Sequence, residues 1–257
     1  MEENDSITNY TDRVCPNFSG KKAFVLSGAM AGQVVALMAA AGFTKADSVE
    51  DADLVVFTGG ADVDPALYGQ KPIAGVYPTR NRDNKEIEVF EAAKEAGVPM
   101  FGICRGSQFL HVMAGGELWQ DVTGHAGPDH FIVDIQEGCR VMATSLHHQA
   151  VKPTEDINMQ VVAVSEDEIT SKFEDENILL HTGALNNATD SLLNLEVEAV
   201  YYPEINAFTV QGHPEVGSNE YRSWTLTKLM EYCFEEEDED DDEETEPMTI
   251  TVEEGNT

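Results

Sequence analysis

A cysteine stands at the centre of a G-x-C-x-G motif, where a strand is predicted to turn into a helix. Cys104 directly follows the apolar run 98–103 and precedes a helical pattern, and Gly102 and Gly106 leave room for a sharp bend. The context is typical of a nucleophile elbow, because the free N–H groups at the start of a helix favour a thiolate and bind a developing oxyanion. A buried structural cysteine is the alternative interpretation.

The partner that a cysteine nucleophile needs is predicted far along the chain, at His213. This histidine follows the alternating run 207–210, and Glu215 comes two residues later. A thiolate needs a histidine to take and return the proton, and the histidine needs a carboxylate to fix its tautomer and orientation. Residues two apart in an extended segment share one side, and Pro214 restricts the backbone between them. A surface turn is the alternative interpretation.

Paired glycines, Gly59 and Gly60, follow a third strand-like run at 54–57. Glycines at the carboxyl end of a sheet strand allow backbone N–H groups to face a ligand, which is what an oxyanion hole requires. The alternative is a polar turn that ends at Pro65.

Two adjacent histidines, His147 and His148, lie in a stretch predicted to connect two strands. Contact with a substrate is the preferred interpretation, and exposed loop histidines are the alternative. The chain has no H-E-x-x-H or C-x-x-C spacing that would complete a metal site, so neither a metal nor another cofactor is predicted. Ordinary structural or surface roles are expected of His125, His130 and His181.

Strand and helix signals alternate in the first half of the chain. Strands are predicted at 22–26, 52–57 and 98–103, and helices at 29–41 and 84–96. This alternation predicts parallel βαβ units, whose reactive groups gather beyond the carboxyl ends of the strands. Because Gly59, Cys104 and His213 each follow a predicted strand end, one sheet edge is expected to present all three.

The pattern changes beyond Gly115, where the strand signals become short and no helix separates them. Strands are predicted at 131–135, 160–164, 197–201 and 207–210. We expect an antiparallel portion that returns His213 to the elbow, followed by a closing helix over 218–234. The acidic stretch 166–177 is expected to be a surface loop or part of a lid.

Length and composition fit one α/β catalytic domain, predicted over 21–234 of the 257 residues and preceded by a flexible arm at 1–20. No apolar run reaches the length of about 18 residues that a membrane span requires, so no membrane partner is predicted, and no secretory signal is recognised at the first residues. Four cysteines without paired spacing fit a reducing compartment, which predicts a cytoplasmic location.

The net charge of −33 is concentrated in part at residues 235–244, which are all acidic. Like charges at this density repel one another, so residues 235–257 are predicted to form a disordered tail. A solvated tail is preferred over one that docks a basic partner. The charge also excludes nucleic acid as a partner, because phosphate binding depends on clustered Lys and Arg.

These motifs occur together in the order seen in one family. The chain resembles the class I glutamine amidotransferase-like hydrolases, and within them the γ-glutamyl-γ-aminobutyrate hydrolase (peptidase C26) group, over residues 21 to 232. The resemblance implies a three-layer α/β fold of the flavodoxin-like kind, with a mostly parallel sheet flanked by helices. The motifs that carry it are residues 59–65, 68–69, 82–83, 102–108, 115–118, 145–149 and 212–215.

The resemblance also implies roles for nine positions. They are the nucleophile Cys104, the general base His213, the orienting acid Glu215, the oxyanion-hole N–H groups of Gly60 and Arg105, and the γ-glutamyl contacts Gly59, Gln108, His147 and His148. The implied reaction is hydrolysis of a small-molecule γ-glutamyl amide through a thioester. Two departures from the family pattern are His111, where asparagine is usual, and a longer, more acidic region at 164–197.

Two other functions remain open at this point. A glutaminase subunit would use the same chemistry but deliver ammonia to a separate synthetase partner. A non-catalytic binding module on the same fold would keep the residues without turnover. The sequence leaves the leaving group open, and it also leaves open whether the protein forms a homo-oligomer.

Overall fold

A nine-stranded sheet runs through the part of the chain that the computed structural model describes, residues 15–167, 169–181 and 195–235. In chain order the elements are β1 (Lys22–Val25), α1 (Ala31–Ala40), β2 (Thr44–Lys45), β3 (Leu54–Phe57), α2 (Arg80–Ala96), β4 (Met100–Ile103), α3 (Arg105–Met113), β5 (Glu117–Trp119), β6 (Asp121–Val122), β7 (His130–Asp134), β8 (Arg140–Ala143), β9 (Ala150–Lys152), β10 (Gln160–Ser165), β11 (Lys172–Glu174), β12 (Leu179–His181), β13 (Val197–Tyr202), β14 (Ala207–Val210) and α4 (Asn219–Cys233).

The large sheet has the strand order β2-β1-β3-β4-β14-β13-β10-β7-β8. The first five strands in this order pair in parallel, and every pair from β14 to β8 is antiparallel. Parallel pairing of β14 with β4 is decisive for the site, because it brings the residues after both strands to the same edge.

Helices cover both faces of the parallel half. Strand β3 shows why, since all four of its residues are fully buried and successive side chains point to opposite faces. Leu54 and Val56 share one core with the apolar residues of α1 and α4, while Val55 and Phe57 share a second core with those of α2 and α3. The predicted three-layer α/β architecture with an added antiparallel portion is confirmed.

Helix α2 begins at Arg80, four residues before the predicted start. Its first turns bury the charged side chains of Asp83 and Glu86 instead of apolar ones. A prediction from apolar spacing therefore recognised only the later turns. Gly97 ends the helix in the left-handed conformation, with φ of 68°, and Ser218 caps α4 by accepting a hydrogen bond from the Tyr221 N–H at 3.1 Å.

The stretch 166–177 differs from the surface loop or lid that was expected. Strand β11 lies within it and pairs with β6 and β12 in a three-stranded sheet. Phe173 of β11 is buried beside Trp119, which is why a charged stretch becomes a strand here. Other strands that sequence reasoning missed have two to four residues, too few for an alternating pattern to stand out: β2, β5, β6, β8, β9 and β12.

The described residues do not include 1–14, 168, 182–194 and 236–257. Most of the predicted arm at 1–20 and of the predicted tail at 235–257 therefore lies outside them. Within the predicted arm, Phe18 is 1% exposed and stacks on Phe43 with 4.5 Å between ring centroids. The packed core therefore already includes Phe18. No described helix has the length and apolarity needed to cross a membrane.

Candidate active site

Cys104 forms the predicted elbow between β4 and α3. Its φ of 53° and ψ of −109° lie outside the regions that residues with side chains favour, as expected where a strand turns sharply into a helix. A Cβ on Gly106 would overlap the Phe57 carbonyl oxygen, and one on Gly102 would lie 2.8 Å from backbone atoms of Gly106. Both glycines are therefore required by close backbone approach.

The histidine and the cysteine meet at the edge that β4 and β14 share. Nδ1 of His213 lies 2.7 Å from Oε1 of Glu215, and the same imidazole forms a hydrogen bond with the Cys104 thiol. Since Glu215 occupies Nδ1, Nε2 is the ring nitrogen left for the sulfur. All three side chains are buried, with Cys104 at 7% exposure.

The charges around His213 favour its protonated form. Burial alone would lower the pKa of His213, but the hydrogen bonds to Cys104 and Glu215 and the charges of both partners outweigh burial and raise the pKa to about 10. An imidazolium beside a cysteine is the arrangement that holds a thiolate ready to attack and a proton ready for the leaving group.

Two backbone N–H groups beside the cleft at Cys104, those of Gly60 and Arg105, have no hydrogen-bond partner among the described residues. Arg105 is the first residue of α3, and the first bond of that helix is donated by Gln108 to the Cys104 carbonyl at 3.1 Å, so the Arg105 N–H has no partner within the helix. Gly60 has φ of 148°, which only glycine adopts readily. A Cβ on Gly59 would lie 3.0 Å from Cε1 of His213, so the absence of a side chain at Gly59 leaves room for the imidazole.

A partly buried arginine sets the direction of the Gly60 N–H. Arg82 donates to the Thr58 carbonyl at 2.8 Å and to the Gly59 carbonyl at 2.9 Å. In a trans peptide the carbonyl of Gly59 and the N–H of Gly60 point in opposite directions. Because Arg82 binds the carbonyl, it turns the N–H away from itself.

A second arginine completes this network, which sequence reasoning did not identify. Arg105 is 1% exposed, donates to the Ala61 carbonyl at 3.1 Å and pairs with Asp83 and Glu86 of α2. Burial and the charge of Arg82 lower the pKa of Arg105 to about 9, although the charge of Asp83 opposes them. The Arg-Asp pair at 82–83 was visible as a motif, but only the fold shows that its role is to hold the loop 58–61.

A cleft of about 290 Å³ opens at Cys104 and is lined in part by Gln108, Leu146 and the Asp62–His148 pair. The His148 Nε2 lies 3.0 Å from Oδ1 of Asp62. That hydrogen bond, with the Asp62 and Asp121 charges, raises the pKa of His148 above its ordinary value despite partial burial. Burial would raise the pKa of Asp62, but the contacts with His148 and the Tyr77 N–H lower it overall, as expected of an ion pair.

Two other predicted site residues line the same cleft but are bonded to the protein. The Gln108 side-chain amide donates to the Gln149 carbonyl at 2.9 Å. His147 is 4% exposed, and its Nδ1 lies 2.9 Å from the same carbonyl. Both residues therefore hold the loop 145–149 in place, and the substrate contacts expected of them remain predictions.

His111, the first departure from the family pattern, lies in the last turn of α3 and away from the elbow. It is fully buried, and its Nδ1 lies 2.8 Å from the hydroxyl of Tyr202 in β13. Burial lowers the pKa of His111 to about 4, so the ring is neutral. A Cβ on Gly116 would overlap this ring, which explains the glycine there.

A larger cavity of about 710 Å³ lies elsewhere, beside α4 and near Lys228 and Tyr232. None of the residues predicted to carry chemistry lines it. We assign the candidate site to the smaller cleft because Cys104, Gly60 and Ala61 line it.

A three-layer α/β fold with a cysteine elbow at the edge of its sheet defines a class I glutamine amidotransferase-like protein. The comparisons with known proteins support this class. The chain belongs to the Peptidase C26 family, whose family model matches residues 21–215.

Two curated relatives are similar to parts of the chain. It is 32% identical over 183 residues to the glutamine amidotransferase-like protein YvdE of Lactococcus lactis, covering 63% of this chain and 66% of YvdE. It is 29% identical over 129 residues to the carbamoyl phosphate synthase small chain of Pectobacterium atrosepticum, covering 50% of this chain and 27% of the other. The matches thus span two thirds or less of these curated relatives.

Among solved structures, PurLQS from Thermotoga maritima is similar in fold. The TM-score is 0.55 at 15% sequence identity, and the match covers 84% of this chain and 97% of that one. The fold of this structure therefore agrees with the family match over residues 21–215.

Proposed function

We propose that the protein hydrolyses a γ-glutamyl amide bond, with Cys104 as nucleophile, His213 as acid and base, and Glu215 as the residue that orients His213. The observation that supports this most is the shared imidazole, which interacts with the thiol on one side and with the carboxylate on the other at a buried position on the sheet edge.

In the first half-reaction the Cys104 thiolate attacks the γ-carbonyl carbon, and the carbonyl electron pair moves onto oxygen. The N–H groups of Gly60 and Arg105 bind that oxyanion, which is where such donors contribute most to the rate. The intermediate collapses as the C–N bond breaks, and the His213 imidazolium gives its proton to the departing amine. A γ-glutamyl thioester on Cys104 remains.

In the second half-reaction water replaces the amine. Neutral His213 takes a proton from water as the oxygen attacks the thioester, the same N–H groups bind the second oxyanion, and the C–S bond breaks to release glutamate. Glu215 holds the imidazole orientation through both steps. Because His213 gives one proton and takes one, the enzyme returns to its starting state.

The cleft offers a matching pair of charges for the amino-acid end of the substrate. Asp62 supplies a carboxylate and His148 an imidazole whose pKa is raised, both beside Cys104. We propose that Asp62 binds the α-ammonium group and His148 the α-carboxylate of the γ-glutamyl group, with Gly59, Gln108 and His147 shaping the wall. Residues 21–234 would form this catalytic domain in the cytoplasm, where the four cysteines, none of which forms a disulfide, remain reduced.

A second candidate function is a glutaminase subunit that supplies ammonia to a synthetase. The similarity to the small chain of a carbamoyl phosphate synthase favours it, since the same site would then cleave glutamine beside a partner protein. The chemistry at Cys104 is common to both functions, and they differ in the leaving group and in the need for a partner.

The test is an assay of the purified chain, without partners, against γ-glutamyl amines, γ-glutamyl peptides and glutamine. Release of glutamate from γ-glutamyl conjugates at a kcat/KM well above that for glutamine supports the hydrolase, and Cys104→Ser should abolish it. Weak activity on every compound, restored on glutamine by a synthetase partner, would support the second function. If Cys104→Ser hydrolyses the substrates as fast as the wild type, the nucleophile assignment is wrong.

A further inference from the structure

Three buried histidines and a buried glutamate converge behind the wall of the cleft, on segments that are distant in sequence. His125 lies between β6 and β7, His130 opens β7, His147 precedes β9 and Glu198 lies in β13. The side chains of these residues are 9% exposed or less. We refer to them as the histidine cluster. The proposed hydrolysis uses none of their ring nitrogens or carboxylate oxygens.

The tautomer of His147 can be assigned from its hydrogen bond. Its Nδ1 contacts the Gln149 carbonyl at 2.9 Å, and because a carbonyl oxygen only accepts, Nδ1 must donate. In the neutral ring the other nitrogen, Nε2, therefore carries a lone pair. This Nε2 is buried, has no hydrogen-bond partner among the described residues, and lies 3.9 Å from Oε1 of Glu198.

His125 has the same arrangement with the roles of its two ring nitrogens exchanged. Its Nε2 lies 2.8 Å from Oε2 of Glu196. Because a carboxylate accepts hydrogen bonds, Nε2 carries the hydrogen and donates. In the neutral ring Nδ1 therefore carries the lone pair, and this atom lies 3.5 Å from Oε1 of Glu198, again with no hydrogen-bond partner in the described chain.

His130 adds a third ring nitrogen, with Nε2 3.0 Å from the same carboxylate oxygen. Oε2 of Glu198 is also buried and lacks a partner among the residues described. Lone pairs of His125 and His147 thus face a carboxylate in a buried site. Such an arrangement is repulsive until a cation stands between them.

We propose that one divalent transition-metal ion of the zinc type binds His125, His130 and Glu198, whose ligand atoms all lie within 4.8 Å of one another, with His147 as the more distant fourth ligand. Zn²⁺ bonds to nitrogen and oxygen are about 2.0–2.2 Å long, which places neighbouring ligand atoms of a tetrahedral site about 3.4 Å apart. The three nitrogens lie 3.5, 3.0 and 3.9 Å from Glu198 Oε1, so they bracket that spacing.

The chemistry of the cluster selects the class of ion. Imidazole ligands suit zinc and its neighbours in the first transition series, whereas Mg²⁺ and Ca²⁺ prefer oxygen ligands. The void at the cluster measures about 10 Å³, which accommodates an ion or one water and no organic ligand. With four protein ligands the site is closed, so the metal is structural and activates no water.

The surrounding hydrogen bonds are those expected around metal-bound histidines. Glu196 binds the far nitrogen of His125, and the Gln149 carbonyl binds that of His147, which fixes each ring with its lone pair directed inward. The ion would tie the loop 145–149 to the antiparallel half of the sheet. Because His148 belongs to that loop and lines the cleft, the metal would hold one wall of the active site in place.

The first test uses the full-length wild-type protein and requires no substitution. Protein purified without chelator should contain about one metal ion per chain by elemental analysis. After chelation, addition of Co²⁺ should produce the intense visible absorption of a tetrahedral cobalt site, and Zn²⁺ should displace it. A chain that is metal-free as purified and develops no such absorption with Co²⁺ would overturn the proposal, leaving the His130–Glu198 contact as an ion pair.

Neighbouring histidines provide a matched pair of variants. His147→Gln should lose the cobalt absorption, whereas His148→Gln, one residue away and outside the cluster, should keep it. Cys104→Ser should also keep it, since a cobalt–thiolate band lost with Cys104 would place the ion at the elbow instead. Should His147→Gln bind Co²⁺ as tightly as wild type, the assignment is wrong.

A thermal-unfolding measurement separates metal loss from misfolding of a variant. Zn²⁺ added to the chelated wild type should raise Tm, because a ligand that binds only the folded chain stabilises it. His147→Gln should show no rise with the same Zn²⁺ concentration, while retaining a cooperative transition. An equal rise in both proteins would refute the assignment.

Discussion

The imidazole of His213 bonds Glu215 at 2.7 Å although only Pro214 separates the two residues in sequence. The expected extended segment is a turn instead, in which the Val216 N–H donates to the His213 carbonyl at 3.2 Å, and this turn brings the two side chains together. The distant partner, Cys104, is supplied by the parallel pairing of β14 with β4. The proposed triad therefore consists of one local contact and one contact that depends on sheet topology.

Glu215→Gln should lower kcat by about 10²- to 10⁴-fold with little change in KM, because an amide cannot stabilise the imidazolium or fix its tautomer as a carboxylate does. Steady-state kinetics on a γ-glutamyl amide measures both constants. Glu204→Gln, an exposed carboxylate between β13 and β14, is the matched control and should behave as wild type. Equal losses in the two variants would argue against a specific role for Glu215.

Activity should fall at high pH as His213 loses its proton. The pKa of His213 is raised to about 10, so the imidazolium needed by the leaving amine is present below that pH and lost above it. The same raised pKa adds to stability at pH values below about 6.5, and that contribution disappears as the pH rises through about 10.

A pH profile of kcat/KM, with circular dichroism at each pH to confirm folding, measures the alkaline limb. In Glu215→Gln the limb should move to lower pH, because one of the two groups that raise the His213 pKa is gone. A limb that stays in place in this variant would show that another group controls it.

Glu86→Gln should destabilise the fold by about 3–5 kcal/mol, because it leaves Arg82 without its carboxylate partner and leaves the buried Arg105 with Asp83 alone. Glu88→Gln, two residues along the same helix and exposed, should change stability by less than about 0.5 kcal/mol. Urea unfolding followed by fluorescence gives both values. Similar free energies of unfolding for the two variants would mean that the Arg82–Arg105 network contributes nothing specific.

Gly106→Ala should destabilise the protein by about 1–3 kcal/mol and impair activity, since its methyl group would overlap the Phe57 carbonyl beneath the elbow. Gly32→Ala is the control within a helix, because a methyl group there meets nothing within 4 Å. That change should stabilise the fold by about 0.4–1 kcal/mol. Thermal unfolding of both variants checks the opposite signs, and destabilisation of similar size in both would contradict the prediction.

The fold was predictable where a pattern is local. Strand β14 was predicted with the bounds that the structure has, since its side chains alternate and Gly212 follows closely. The start of α2 was not predictable, because its buried face there consists of Asp83 and Glu86, and charged residues indicate an exposed face until their arginine partners are known.

The candidate active site and the histidine cluster also differ in how far local sequence patterns could predict them. Cys104 and His213 stand in short motifs that local chemistry makes recognisable. The histidine cluster gathers ligands from four segments between His125 and Glu198, with no spacing that a metal motif would show, and so a search for such motifs predicted no metal.

The sequence alone determined the parallel βαβ half, the elbow and the identity of the nucleophile candidate, because strand alternation, glycine spacing and residue chemistry act over a few neighbours. Tertiary structure decided which carbonyls Arg82 and Arg105 bind, how His148 meets Asp62, and that three histidines surround one buried carboxylate. These contacts join residues far apart in the chain, and their geometry exists only after the sheet has placed its strands side by side.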